Sequence, residues 1–160
     1  MADLLEALIQ IKALAETPPR VTTLLRLAPA DAWARRPRPG TWAPIEVLAH
    51  LADTELFHGT RVRLILNGDR PLLPRFEGAV LAERARYLEW PPALALERFC
   101  TRRTETLELL SVCSAAQLER VGVYPTRGLV TLADLVALML AHDTDHVGQM
   151  RERLGITGDA

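Results

Sequence analysis

T-L-A-D-L-V-A-L-M-L-A-H-D-T-D-H-V-G-Q-M-R-E-R-L-G, residues 131–155, is the stretch whose reading decides the fold. Thr131 followed by Asp134 is a capping-box-like helix start. Gly155 is a stop of the kind that ends helices. At about 100° per residue, Leu135, Leu138 and Met139 fall within about 60° of His142. His146 lies about 40° to one side of His142 and Gln149 about 20° to the other. The two histidines therefore extend the apolar, inward stripe of a long amphipathic helix. Polar groups on such a stripe must find partners, because burying them unpaired costs free energy. Two imidazoles one turn apart can reach one metal ion.

Three more long helices are legible upstream. Leu4, Leu5, Leu8, Ile9, Ile11 and Leu14 repeat with helical periodicity, and a second segment runs to about Leu27. Thr17 before Pro18-Pro19 reads as a break and restart, so one kinked helix or two abutting ones are expected. Residues 28–43 are a Pro/Gly-rich connection. Pro44 opens a helix that runs to Asn67-Gly68, with Glu46 in its first turn, where a carboxylate meets the positive end of the helix dipole. Residues 69–91 form a long connection with a short helix around 79–88. Pro91-Pro92 open another helix, to about Val112. Ser114 caps a short turn, and V-G-V-Y-P-T-R-G-L-V reads as a loop. No strand stands out. The expected architecture is all-α, a four-helix bundle in one domain over residues 1–160.

The helix from Pro44 carries a third histidine, His50. Glu46, Thr54, Phe57 and Arg61 lie within about 40° of it. Glu, His, Thr and Arg on one face make poor packing and a plausible site. Three imidazoles from two bundle helices would form a three-nitrogen set, and catalytic zinc sites use three protein ligands and leave one position open. Gln149 is a candidate to hydrogen-bond a ligand or contact substrate, and Glu46 and Arg61 are weaker candidates for the same task. H-D-T-D-H lacks the glutamate that follows the first histidine in zincins. Asp143 points about 100° away from His142 and is not assigned as a base. His58, about 80° round from His50, reads as a surface or rim residue. Arg102 and Arg103 read as solvated. A His50 Nε2 more than about 6 Å from the His142/His146 pair would argue for a metal-free bundle, since ligand bonds are near 2.1 Å.

The bulk numbers fit a bundle of this size. The chain has 160 residues, 49% of them apolar and 24% charged, with a formal net charge of −1. That excludes the basic excess a nucleic-acid partner usually requires. Cys100 and Cys113 are too far apart along a helix to bridge, and two reduced cysteines are expected. Asp3 and Glu6 argue against a signal peptide. The apolar run from Leu129 to Ala141 is interrupted by Thr131 and Asp134 and is too short to span a bilayer. A cytoplasmic protein with no membrane partner is the expectation.

Three pieces of the chain, G-T-W-A-P-I-E-V-L-A-H-L-A-D-T-E, Y-P-T-R-G-L-V-T-L-A-D-L and A-H-D-T-D-H-V-G-Q-M, resemble the DinB/YfiT superfamily of metalloproteins. The likeness covers about residues 20–154, and its histidine elements are the specific part. The resemblance implies a four-helix bundle holding one divalent ion, zinc or nickel by ligand type, on His50, His142 and His146. It also implies a homodimer, and either a transferase or isomerase using a low-molecular-weight thiol such as bacillithiol or mycothiol, or a metal-dependent hydrolase, acting on a small molecule. A non-catalytic metal site, or a metal-free homodimeric bundle, is the alternative. Where the family often has serine before the helix-opening proline, this chain has Ala43, which cannot cap with its side chain.

Overall fold

In the computed structural model, which describes residues 4–157, the elements run α1 (Leu4–Leu27), α2 (Pro44–Asn67), α3 (Gly78–Arg84), α4 (Pro92–Leu110), α5 (Ala115–Leu118), β1 (Val121–Tyr124), β2 (Gly128–Thr131) and α6 (Leu132–Leu154). The four long helices form the expected bundle. α2 packs against α4 and α6, and α1 closes the bundle against the same two. α1 and α2 thus hold opposite corners, and so do α4 and α6. A chain that must cross a bundle diagonally needs a long connection, and the segments 28–43 and 111–131 supply it.

Pro18 and Pro19 do not break α1, which is one helix through both. A proline inside a helix leaves the carbonyl four residues back without its donor. For Pro18 that carbonyl is Leu14 O, and Arg103 Nη1 of α4 donates to it at 3.0 Å. For Pro19 it belongs to Ala15, which is exposed to water.

The segment expected to be a loop is a β-hairpin, and this corrects the reading that no strand is present. Val121 pairs with Thr131 and Tyr124 with Gly128. Arg127 N–H donates to Tyr124 O, and Gly128 follows at φ +77°. That is the three-residue hairpin loop closed by a left-handed residue, which glycine adopts without strain. Val123 also donates to Pro71 O and accepts from Leu73 N–H, which ties the connection after α2 to the hairpin edge. The other end signals hold. Thr131 Oγ1 accepts from Asp134 N–H, Thr131 N–H donates back to Asp134, and Gly155 stops α6 at φ +69°.

The core is layered along the bundle axis. One apolar cluster gathers Ile11, Leu14, Ile65, Leu110, Leu135 and Met139. The other gathers Leu24, Trp33, Leu48, Phe99, Val147 and Met150. Between them each long helix contributes buried polar residues: Thr17 from α1, Glu55 and His58 from α2, Arg103 and Thr106 from α4, and Asp143 from α6. His142 and His146 fall in the same interval of α6. Among the described residues no helix is long and apolar enough to cross a membrane. Cys100 and Cys113 are both free thiols.

Candidate metal centre

α2 and α6 lie side by side, and this contact brings together histidines that are 92 residues apart. His50 Nε2 is 3.1 Å from His142 Nε2. The ring of His146 is centred 4.8 Å from that of His50 and 4.3 Å from that of His142. One ligating atom from each of the three lies within 4.8 Å of the others. In a tetrahedral site with bonds near 2.1 Å, ligand atoms are spaced by about 3.4 Å. The three rings therefore converge as ligands do, and the separation is well inside the 6 Å that would mark a metal-free bundle.

The ring orientations agree with this use. His146 Nδ1 meets Gln149 Oε1 at 3.1 Å, so its N–H points at the amide oxygen and Nε2 is left with a lone pair. Thr54 Oγ1 approaches His50 Nε2 at 3.3 Å. His50 is held flat from outside: Phe76 stacks on it at 5.4 Å and Trp42 tilts against it at 5.1 Å. Gly78 closes tightly on the same ring, so that a β-carbon there would fall 2.7 Å from His50 Cε1. His50 Nδ1 is buried without a hydrogen-bond partner.

All three imidazoles are kept neutral, the form that ligates metals. Burial pulls His50 down to about 4, with His146 adding to it, and pulls His142 down to about 2. Burial lowers His146 as well. No carboxylate forms an ion pair with any of them among the described residues. A neutral, converging set of three nitrogens with no paired carboxylate suits a divalent metal ion.

The remaining candidates are placed differently. Glu46 is not brought to the histidines by any contact: its oxygens accept from Arg36 at 2.6 and 2.9 Å and from Ala43 N–H at 2.7 Å. This bond from the first turn replaces the cap that Ala43 cannot make. Arg61 donates from Nε and Nη2 to Pro74 O and lies over the Tyr124 ring. His58 is not a rim residue. It is 6% exposed, both ring nitrogens lack partners, and its ring is 5.9 Å from that of His142. The reason is that α2 is covered on nearly every side, which a helical wheel cannot reveal. Arg103 is not solvated either, at 1% exposed. It binds Asp143 at 2.6 and 3.0 Å and Glu55 at 2.7 Å, while Thr17 Oγ1 donates to Asp143. Asp143, next to His142, is thereby tied to α1 and α4 directly, and to α2 through the guanidinium it shares with Glu55. Arg102 bonds Asp53 and Ala52 O.

A cavity of about 330 Å³ opens beside His142. α2 lines it with Thr54, His58 and Arg61, the hairpin with Tyr124 and Arg127, and the connection after α2 with Phe76. Leu138, Ala141 and Asp145 of α6 complete the wall.

The sequence profile of the DinB superfamily matches residues 13–150. The chain belongs to the DinB superfamily. Two curated relatives carry the name "Putative metal-dependent hydrolase". One, from Halalkalibacterium halodurans, is 25% identical over 73% of this chain and 68% of its own length. The other, from Bacillus licheniformis, is 28% identical over 74% and 69%. YfiT from Bacillus subtilis, described as "a probable metal-dependent hydrolase with an unusual four-helix bundle topology", superposes with a TM-score of 0.86. That match covers 98% of this chain and 92% of YfiT at 20% identity, and it establishes the fold. The diagonal helix order is thus one that this DinB chain shares with a solved structure.

Proposed function

We propose that His50, His142 and His146 hold one divalent ion, zinc or nickel, and that the protein is a metal-dependent enzyme acting on a small molecule in the cavity beside His142. The observation that carries this is the convergence of three neutral imidazoles, one ligating atom of each within 4.8 Å of the others and His50 Nε2 3.1 Å from His142 Nε2, with no carboxylate paired to them. The metal-dependent names of the two curated relatives support it. A divalent ion in such a set lowers the pKa of a coordinated water or thiol and polarises a carbonyl. The chain's own residues do the positioning. Gln149 fixes the tautomer of His146. Phe76, Trp42 and Gly78 fix the plane of His50 and keep water from its outer face. Asp143, clamped by Arg103, fixes the rotation of α6 at His142.

Among the described residues no carboxylate is ion-paired to the three histidines, so the attacking group is taken to be water or a low-molecular-weight thiol activated at the site. The cavity favours catalysis over a purely structural ion, because its wall includes His142 itself. The test begins with metal analysis of protein purified without a histidine tag, expecting close to one ion per chain. The same analysis on the His142→Ala/His146→Ala variant should show that ion gone. Absence of metal in the first, or undiminished metal in the second, defeats the proposal. A screen of hydrolysis and of conjugation with a panel of low-molecular-weight thiols then assigns the reaction. We further propose a cytoplasmic homodimer, which sedimentation and cell fractionation would test.

A further inference from the structure

Two arginines in this bundle are all but fully buried, Arg103 at 1% and Arg61 at 2% exposure. Arg103 sits between two carboxylates. Arg61 has no ion pair among the described residues. Its neighbours are the Pro74 carbonyl and the face of Tyr124, and neither carries a charge to match it. A guanidinium cannot escape burial by losing its proton, and an uncompensated buried charge is costly. Burial pushes the Arg61 pKa down, with no carboxylate opposing it. Beside it on the same helix stands His58, whose two buried nitrogens are unpartnered. Both residues line the cavity next to His142.

We infer that this cavity receives the carboxylate of a small organic acid, paired with Arg61 and with a ring N–H of His58 beside it. The inference rests on the cavity being the substrate chamber of the proposed enzyme. One buried cation calls for one negative charge. Arg127 and Asp145, at exposed positions of the wall, offset each other and leave that requirement unchanged. A volume of about 330 Å³ lies at the small end of ligand pockets, and Phe76 and Tyr124 offer apolar faces to the body of the molecule. The acid would be held by its carboxylate with its reactive end toward His142.

Benzoate and benzamide share a shape and differ in charge. Each is titrated calorimetrically into the full chain as purified and after chelation. Benzoate should bind at least tenfold tighter than benzamide in both preparations, and Arg61→Gln should erase the difference. Equal binding, a preference seen only before chelation, or a preference kept in Arg61→Gln overturns the inference. If Arg61→Gln does not fold, Ala141→Trp, which fills the cavity from α6, takes its place, and benzoate binding that persists in it overturns the inference. Because the decisive titration uses stripped protein, a failure of the metal proposal leaves this result intact. A metal-bearing protein without carboxylate preference would lose this inference alone.

Discussion

Gly78 is the residue at which a single methyl group would say most about the site. Its backbone lies against the His50 ring, and an alanine β-carbon would stand 2.7 Å from Cε1 and 2.9 Å from Nδ1. The imidazole must tilt to make room, while the rest of the bundle is untouched. Gly78→Ala should therefore weaken metal affinity by about 10–100-fold, the range seen when ligand orientation is disturbed. A chelator competition titration reads this directly, and thermal stability of the stripped protein should barely move. Gln149→Leu should give a loss of the same order by freeing the His146 ring. Unchanged affinity in both variants would mean that neither contact orients a ligand. Gln149 could be singled out from its place three residues after His146. Gly78 could not, because nothing in E-G-A-V says which side chain will lean on that glycine.

Among elements, α1 and α4 depend on each other through Arg103. Its guanidinium joins Glu55, Asp143 and the Leu14 carbonyl that Pro18 leaves without a donor. Arg103→Met would strand two buried carboxylates and that carbonyl, and should cost about 3–5 kcal/mol in urea unfolding. Conversely, Pro18→Ala should gain much less than the roughly 3 kcal/mol usually recovered on removing a proline from a helix interior, because Leu14 O is already bonded. A full gain would show that the Arg103 bond contributes nothing. These partnerships explain what the sequence did and did not disclose. The four helices were legible because apolar spacing, Pro44, Pro92, Thr131 and Gly155 are local signals. Arg103 was not, since Glu55, Asp143 and Leu14 reach it from three other helices. The hairpin stayed hidden because its strands have only four residues and carry the glycines and proline of a loop. His50, His142 and His146 could be picked out because helical spacing puts each on the inward face of its helix, and the family resemblance joined them as one set. His58 and the cavity wall depend on how α2, α6 and the hairpin meet.

The molecule as a whole should be acid-sensitive when metal-free. An unfolded chain takes up protons on its histidines near pH 6.5. In the fold, burial delays this to about 4 for His50, about 3 for His58 and about 2 for His142, with His146 also lowered. The unfolded state thus binds more protons across that window, and stability rises with pH through it. The contribution is complete above about pH 7 and is lost progressively as pH falls from near 6.5 through about 4 for His50 and on toward about 2 for His142. Urea midpoints of the stripped protein should be lower at pH 5.0 than at pH 7.5, and equal midpoints would count against neutral buried histidines. Restoring the ion at pH 7.5 should raise the midpoint further, because it binds only the assembled site.

The diagonal placement of α1 against α2, and of α4 against α6, has a kinetic consequence. Neighbouring helices in the sequence cannot zip together as antiparallel pairs at those two steps, so the chain must close long loops before α6 finds α2. Folding should accordingly be slow for an all-helical protein of this size, since the speed of local helical contacts is forfeited. The His50–His142 approach, spanning 92 residues, can form only when that closure is done. Uptake of an ion by the three histidines would then serve as a clock for the last step of assembly.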